Sequence, residues 1–429
     1  MNLEKTIVFH QIFPNQKEVP GKLDKLMSKL LKHVHHFIML HFRKEKEDSI
    51  GNRLILVEFF RKRKDAKLEI VEFKKTQQEY KKIDLIDKQY YYYGYLLGKT
   101  VFQKKFILSQ KTKPFDYELA LKPLDIYYLL NKLEFTCFLL SINLSRRPIE
   151  ISKIIEFLSL VKPIYEEKGL LRIPLVSIYY QTFEMLKKVG GDMVEYRKLK
   201  EKILLYEGVL PFDALKILNG ILRSFIIHNY NNGAVNLKVE LFLLHKEHLA
   251  KGYFDFEKGI LSAAFKNMIT IGLLAKDYDW VYTFLKTYKN RIIGSKHPED
   301  DYNYNLAHYY FSIKDYEKAL GLIKGKYEDL HYQLAAKRLE LRIFYETNST
   351  ILDSKIDAFK IYAFRLSKQS ISKQKRVSNN NFIDFLRQIR NPKTQYSHSR
   401  IEKLHAKINN TSILNDRDWL IEKLEELKV

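Results

Sequence analysis

Two clusters of basic residues carry the clearest chemical signal in the sequence. The first is the block Arg61-Lys62-Arg63-Lys64. The second is spread over a longer stretch and consists of Arg365, Lys368, Lys373, Lys375, Arg376, Arg387, Arg390, Lys393 and Arg400, interleaved with Tyr362, Phe364, Phe385 and Tyr396. Guanidinium and ammonium groups bind phosphates and carboxylates, and aromatic rings offer stacking surfaces. If the two clusters meet on one face, they predict a surface for RNA, DNA or an acidic partner.

An alternative explanation of this charge lies in the composition of the whole chain. The chain has 429 residues and a net charge of +23, from 74 Lys+Arg against 51 Asp+Glu. Lysine outnumbers arginine 56 to 18, and Ile, Asn, Tyr and Phe are abundant, as AT-rich coding would produce. The sequence also lacks the RNP-type and helix-turn-helix signatures of nucleic-acid modules. A lysine-rich, solvated surface with no ligand therefore stands beside the binding hypothesis.

Residues suited to catalysis or metal binding occur without the partners that these chemistries need. His33 and His36 share a helix face, but no carboxylate or cysteine lies at ligand spacing on that face. His245 and His248 lack the order of the zinc-protease pattern. Cys137 lies in an apolar helical stretch, where a thiol is inert. With no nucleophile elbow, Walker A loop or dinucleotide glycine pattern, we predict no enzyme, metal, cofactor or small-molecule substrate.

The scarcity of chain-breaking residues predicts an all-α fold. The chain has 16 Gly and 10 Pro in 429 residues, about half the ordinary usage of these two residues. Long segments between the prolines show helical spacing of apolar residues, and they predict roughly fifteen helices. One segment places an apolar stripe on one helix face, formed by Tyr332, Ala335, Ala336, Leu339 and Ile343. Lys337, Arg338 and Arg342 fall on the other face, which we expect to meet solvent.

The last helix has its own start signal. Asn415 is suited to cap it, and Asp416 and Asp418 then lie in its first turn, where negative charge suits the helix dipole. The buried stripe of this helix is predicted to be Leu420, Leu424 and Leu427.

A weak internal repeat predicts how the helices are arranged. Asp277-Tyr278-Asp279-Trp280 returns 38 residues later as Asp315-Tyr316-Glu317-Lys318. Around the second copy, the packing positions of a tetratricopeptide (TPR) helix pair are occupied by Leu306, Ala307, Tyr310, Tyr316 and Ala319. Asn303, Lys326 and His331 depart from the TPR pattern. The repeat therefore predicts an α-α solenoid of stacked TPR-like helical hairpins rather than a regular TPR array.

Several longer segments carry a resemblance to a known family. They are residues 265–346, with the repeat just described, the aromatic run Tyr90 to Tyr95, Asn381-Phe382-Ile383-Asp384-Phe385, and Trp419 to Leu424. From about residue 22 onward the chain resembles a family of uncharacterised bacterial TPR-like proteins. The resemblance implies an all-α repeat fold and no activity, ligand or catalytic residue. The leading helices of that family are missing, so we expect an incomplete first repeat.

Length and segment pattern predict the organisation and role of the chain. A single core stops growing near ~250–300 residues, so stacking in one dimension is expected. We predict five regions: a short N-terminal segment 1–21, an N-terminal helical region 22–122, middle hairpins 123–260, TPR-like repeats 261–368 and a C-terminal helical cap 369–429. With one cysteine, no signal peptide and no membrane span, a cytoplasmic location is expected. The predicted function is a non-enzymatic scaffold for a protein or peptide partner, with a nucleic-acid or polyanion-binding repeat protein as the alternative.

Overall fold

Most of the described part of the chain is helical, as the shortage of glycine and proline predicted. The computed structural model describes residues 5–45, 49–107, 116–144, 149–187, 192–232, 234–254, 259–327, 329–366, 373–390 and 398–427. Within these ranges lie twenty α-helices and two strands of two residues each. The strands, Ile260–Leu261 (β1) and Ile292–Ile293 (β2), pair in parallel. The all-α class is confirmed.

The helices belong to two units, Met1–Leu129 and Leu130–Val429, here called unit 1 and unit 2. The helices of unit 1 are α1 (Lys5–Ile12), α2 (Lys22–Glu45), α3 (Ser49–Lys62), α4 (Ala66–Tyr80) and α5 (Lys88–Ile107), and α6 (Glu118–Asn143) crosses the boundary. Those of unit 2 are α7 (Ser152–Glu167), α8 (Pro174–Lys187), α9 (Met193–Leu205), α10 (Phe212–Asn231), α11 (Lys238–Ala250), α12 (Ser262–Leu274), α13 (Tyr278–Tyr288), α14 (Pro298–Ser312), α15 (Tyr316–Leu322), α16 (Leu330–Glu346), α17 (Leu352–Arg365), α18 (Lys373–Arg390), α19 (His398–Asn410) and α20 (Arg417–Glu426). The five predicted regions stay predictions.

Unit 1 has a small core between three helices. α3 packs along α4, and α4 meets α5. Val57, Phe73 and Leu97 form the buried centre. The aromatic run of α5 contributes to packing: Tyr91 and Tyr93 are buried, and Tyr90 stacks on Tyr80 with ring centroids 4.5 Å apart. These tyrosines therefore serve the helix contacts of unit 1.

Most helices of unit 2 pack on the helix that follows them along the chain. α8 packs on α9, α10 on α11, α11 on α12, α12 on α13, α13 on α14, α14 on α15, α16 on α17, α17 on α18 and α19 on α20. In addition, α14 contacts both α12 and α16. One buried apolar cluster runs from α14 to α20, and another surrounds α12 and α13. The position of α14 between α12 and α16 brings polar residues of these three helices together, as described below.

A single type of turn joins several of the helix pairs. Lys276 and Lys314 adopt left-handed backbone conformations with φ of 59° and 65°, and each is followed by an aspartate. The side chain of Asp277 caps α13 by accepting from Trp280 N, and Asp315 caps α15 by accepting from Lys318 N, each at 3.2 Å. The sequence repeat at an offset of 38 is therefore a repeated helix-turn-helix connection. Lys64 and Asp65 make the same turn before α4, with φ of 59° at Lys64.

We expect Asp315→Ala to destabilise unit 2 by about 1 kcal/mol, because it removes the hydrogen bond that caps α15. Urea denaturation followed by circular dichroism would measure the loss. Asp384→Ala is the matched control, since Asp384 is exposed inside α18. Equal stability of the Asp315 and Asp384 variants would contradict the capping role.

The C-terminal helix corrects two expectations from the sequence. α20 begins at Arg417 with Asp416 at the N-cap position, and not with Asn415 as the cap. The carboxylate of Asp416 does not cap the helix, because it is held by two arginines of α16: its Oδ2 lies 2.8 Å from Arg338 Nε and its Oδ1 lies 2.9 Å from Arg342 Nη1. Arg342 is therefore buried and Arg338 half-buried, where solvent exposure was predicted. The apolar stripe from Tyr332 to Ile343 is buried as predicted.

Two further contacts fasten α20 to α16. Glu346 accepts from the indole of Trp419 at 2.6 Å and pairs with Lys423 at 3.0 Å. Leu420 and Leu424 are fully buried, as predicted. Among the described residues, no helix is both long enough and apolar enough to cross a lipid bilayer.

Candidate functional site: a lysine on two tyrosines

The predicted basic block at the end of α3 is largely engaged within unit 1. Arg61 lies 3.2 Å from Glu69 and donates to Gln103 at 2.8 Å. Lys62 pairs with Glu58 at 2.7 Å, and the guanidinium of Arg63 lies 5.1 Å from the ring centroid of Phe59. Lys64 forms the turn before α4. The block thus has local structural roles, although Lys62, Arg63 and Lys64 remain exposed.

An open cavity of about 590 Å³ lies between α3 and α5 in unit 1. Arg61 and Lys62 line it together with Tyr92, Lys99 and Gln103. Its lining mixes both charge signs, since Glu58 also faces it. Of its three basic residues, Arg61 and Lys62 are already paired with Glu69 and Glu58.

The second basic set lies in unit 2, and its members differ in their exposure to solvent. Arg365 and Lys373 are exposed, whereas Lys375, Arg376, Arg387 and Arg390 are half-buried on α18. Arg387 forms an ion pair with Asp357, and Arg400 is exposed on α19. Lys368, Lys393 and Tyr396 lie outside the described residues. Of the other interleaved aromatics, Phe364 is exposed, Tyr362 is half-buried and Phe385 belongs to the core. Only Lys375 joins the cluster described next.

The predicted repeat-packing residues lie at the helix contacts of α14 and α15. Ala307 and Ala319 are fully buried. Tyr310 and Tyr316 are half-buried against the cluster that includes α16, and the ring of Tyr316 lies 5.6 Å from that of Phe311. Leu306 packs instead against the cluster of α12 and α13. α14 thus contributes to both apolar clusters and contacts both α12 and α16.

The most unusual side chain of unit 2 is Lys266 on α12. Its ammonium lies 4.5 Å from the ring centroid of Tyr332 on α16 and 5.1 Å from that of Tyr304 on α14. It donates a long hydrogen bond of 3.4 Å to the carbonyl of His331. Among the described residues, no carboxylate lies within ion-pair distance of this nitrogen. Lys266 is therefore a half-buried cation held by aromatic faces instead of a counter-charge.

The charge state of Lys266 reflects this environment. Burial lowers the pKa of Lys266 to about 7, and repulsion by Arg338 adds to the effect, whereas Asp329, Asp301 and Asp416 act in the opposite direction. Near neutral pH the amine is thus divided between its charged and neutral forms. An anion arriving beside it would favour the charged form.

Two more cationic side chains stand around Lys266. Lys375 on α18 lies 2.8 Å from Nδ1 of His331, and burial lowers its pKa. Arg338 donates to Asn379 at 2.8 Å, and Asn379 donates to the carbonyl of Lys375 at 2.7 Å. Lys266, Arg338 and Lys375 are therefore held in one place by α12, α16 and α18. We call this group, with Tyr304, Tyr332 and His331, the lysine–tyrosine site.

A buried hydrogen-bond network holds the Tyr332 ring of the lysine–tyrosine site in place. Ser262 donates to Asp301 at 2.6 Å and lies 3.1 Å from the hydroxyl of Tyr332. Tyr332 also accepts from Asn305 at 3.1 Å. These four residues join α12, α14 and α16, so they fix the rings on which Lys266 rests. Ser262 lies one helical turn before Lys266, and both Ser262 and Asp301 already form hydrogen bonds within this network.

Some polar atoms beside this network have no hydrogen-bond partner among the described residues. They are Oδ1 of Asn305, Nδ1 of His308 and Nε of Arg342. Burial, and then the charge of Arg342, lower the pKa of His308 to about 3, so its ring is neutral. Unpartnered buried polar atoms cost free energy unless water or a ligand reaches them. The interior behind the lysine–tyrosine site thus offers an acceptor at Asn305 Oδ1 and a donor at Arg342 Nε for further hydrogen bonds.

The histidines and the cysteine have ordinary surroundings. Nδ1 of the buried His245 lies 2.7 Å from the carbonyl of Leu241, and His248 contacts Arg223 at 2.7 Å. His33 and His36 are exposed on α2. The described residues contain no group of three or more metal-ligating side chains. Cys137 is fully buried beside the carbonyl of Tyr179, and burial raises the pKa of its thiol.

Comparison with known proteins finds no matching family model, no matching curated protein and no matching solved structure. The resemblance to TPR-like bacterial proteins stays a prediction. The geometry itself defines an all-α protein with a basic and aromatic site on four helices, α12, α14, α16 and α18. Sequence reasoning missed Lys266 because a single lysine in a lysine-rich chain carries no signal. Its only local hint is its position four residues after Ser262, on the same helix face.

Proposed function

We propose that the protein is a non-enzymatic binding scaffold, and that the lysine–tyrosine site takes an acidic segment of a partner protein. One observation carries the proposal: Lys266 is desolvated on two tyrosine rings without a carboxylate partner among the described residues. A carboxylate from a partner would supply the missing counter-charge. A desolvated, hydrogen-bonded ion pair contributes far more to binding than an exposed one.

The surrounding residues suit a carboxylate on an extended peptide. Lys375 lies beside the exposed ring of His331, and Arg338, although paired with Asp416, stands near the same place. Asp329 is also exposed, and its carboxylate would repel a peptide carboxylate that lies beside it. It therefore favours one alignment of the peptide along the site. The pairing of α12, α14 and α16 supports a TPR-like solenoid, and such folds usually bind peptides in their concave grooves. We propose the TPR-like solenoid, the relation to TPR-like bacterial proteins and a cytoplasmic location together with this function.

Fluorescence anisotropy with a labelled hexaglutamate peptide tests this site. We expect Lys266→Gln to weaken binding at pH 6.5 at least tenfold, because the amide cannot neutralise a carboxylate. Lys375→Gln should weaken it several-fold. Lys360→Gln is the matched control, since Lys360 is exposed on α17 and outside the site. Equal affinities of the Lys266 and Lys360 variants would refute the proposal.

The same titration with a single-stranded RNA oligonucleotide tests the nucleic-acid alternative. That alternative predicts tighter binding to RNA than to the peptide, with affinity falling steeply as salt rises. It also predicts loss of RNA binding when Arg61 to Lys64 or Arg365 to Arg376 are reversed in charge. If Lys266→Gln weakens peptide binding but leaves the affinity for RNA unchanged, the two ligands bind at different sites.

A further inference from the structure

α2 presents a long apolar face to solvent. Every side chain from Asp24 to His41 is exposed. The exposed apolar residues are Leu26, Met27, Leu30, Leu31, Val34, Phe37, Ile38, Met39 and Leu40. Leu30 is 52% exposed and Phe37 is 68% exposed. Apolar surface of this extent is unfavourable in water and is typical of an interaction surface.

The start of α2 is held in place by α1. Phe9 and Leu23 are buried, and Lys5 pairs with Asp24 at 2.8 Å. The ammonium of Lys22 lies 4.4 Å from the ring centroid of Phe13. These contacts involve the first turn of α2, and the apolar face begins directly after it. The face is thus attached to unit 1 at one end and uncovered along the next four turns.

Charge and apolar surface are strongly segregated around α2. At 100° per residue, Met27, Leu30, Val34 and Phe37 form the centre of the apolar face, and Leu26, Leu31 and Ile38 widen it to about 140°. The opposite side carries a stripe of Lys25, Lys29, Lys32 and His36. Between residues 22 and 41 there are four lysines and a single acidic residue, Asp24, which is already paired with Lys5.

We propose that α2 docks in the plane of an anionic lipid bilayer surface. A basic amphipathic helix of this kind buries its apolar face at the boundary between headgroups and acyl chains, while its lysines meet the negative lipid headgroups. The four lysines between residues 22 and 32 keep the helix at the surface, since each would be costly in the hydrocarbon. This site lies in unit 1 and does not involve Lys266.

The pattern fits a membrane surface better than a second copy of the chain. A two-stranded coiled coil buries a narrow seam and places charged residues beside it. Beside the Met27, Leu30, Val34 and Phe37 seam, α2 has Leu26, Leu31 and Ile38 instead of charges. A second copy would leave these residues exposed and would also bring two lysine-rich helices together. A lipid surface covers the full width of the face and supplies the opposite charge.

Co-sedimentation with lipid vesicles tests this inference on the full chain. We expect binding to vesicles of phosphatidylcholine with 30% phosphatidylglycerol at 0.1 M salt, and at least tenfold weaker binding to pure phosphatidylcholine. The double variant Leu30→Gln and Phe37→Gln should bind the anionic vesicles at least tenfold more weakly, as should Lys25→Gln with Lys29→Gln and Lys32→Gln. Glutamine preserves helix propensity, so circular dichroism should be unchanged.

Leu160→Gln with Leu205→Gln is the matched control, because both leucines are strongly exposed but lie on α7 and α9 of unit 2. This control should bind like the parent chain. Equal binding of the two double variants would overturn the inference, and so would equal binding to the two vesicle types. Light scattering provides an independent outcome: a dimer that Leu30→Gln and Phe37→Gln dissociate would assign the face to a second copy. Lys266→Gln should leave vesicle binding unchanged, which keeps this test separate from the peptide site.

Discussion

Replacing Asp416 with alanine is expected to destabilise unit 2 by about 3–5 kcal/mol, because it leaves two arginines of α16 without their counter-charge. Asp416 bridges Arg338 and Arg342 at 2.8 and 2.9 Å, and its side chain is only 17% exposed. Burial acts to raise the pKa of Asp416, but Arg342 and Arg338 outweigh it and hold the pKa below its ordinary value. Urea denaturation of unit 2, followed by tryptophan fluorescence, would measure the loss, since Trp419 follows on α20.

Asp357→Ala provides the matched control for this ion-pair deletion. Asp357 pairs with Arg387, but its side chain is 67% exposed, so the expected loss is about 0–1 kcal/mol. Because the folded pKa of Asp416 is lowered, its contribution is present above the pKa of the unfolded chain and is lost as pH falls through the folded pKa. The difference between parent and Asp416→Ala should therefore shrink below pH 4. Equal losses for the two variants at pH 7 would contradict this account.

Binding of an acidic peptide is expected to weaken roughly 50-fold between pH 7 and pH 9, because only the charged form of Lys266 attracts a carboxylate. The pKa of Lys266 is lowered to about 7, mainly by burial. About half of the free protein is therefore charged at this position at pH 7, and about 1% at pH 9. Peptide carboxylates stay ionised over this range, so the change reports the lysine. Anisotropy titrations at several pH values would measure it.

Lys266→Arg distinguishes this mechanism from a general effect of pH. A guanidinium stays charged across the range, so the variant should lose much less affinity between pH 7 and pH 9. Calorimetry in buffers of different ionisation enthalpy should also show proton uptake by the parent chain on peptide binding at pH 8, and little uptake by the variant. Parallel pH profiles for the parent and Lys266→Arg would exclude Lys266 as the titrating group.

Local features of the fold could be predicted because they depend on neighbours along the chain. The apolar stripe from Tyr332 to Ile343 follows helical periodicity, and it is buried as predicted. In the turns at Asp277 and Asp315, the aspartate side chain accepts from the backbone N–H three residues later. The same short sequence pattern therefore gives the same turn at both places. Both features involve residues within about three helical turns of one another, and sequence spacing is sufficient to define them.

Polar residues of α16 could not be assigned in the same way. Arg338 and Arg342 lie outside the apolar stripe of α16, about 120° and about 80° from its centre, and solvent was predicted there. The structure places α20 over that face, and Asp416 reaches both arginines from 74 or more residues away. A charged residue can be buried when a distant charge neutralises it, and no local pattern announces that partner.

The sequence by itself determined the helical class and the apolar stripe of α16, since these follow from composition and periodicity, but it predicted roughly fifteen helices where the described residues form twenty. Tertiary structure alone decided which charged side chains are paired with a residue of another helix and which are desolvated without a counter-charge. It paired Arg61 with Glu69 and Arg387 with Asp357, each on another helix, and it left Lys266 on two tyrosine rings without a carboxylate partner among the described residues. The reason is physical: the properties of a charged side chain depend on desolvation and on neighbours from other helices, and both arise only when the helices pack.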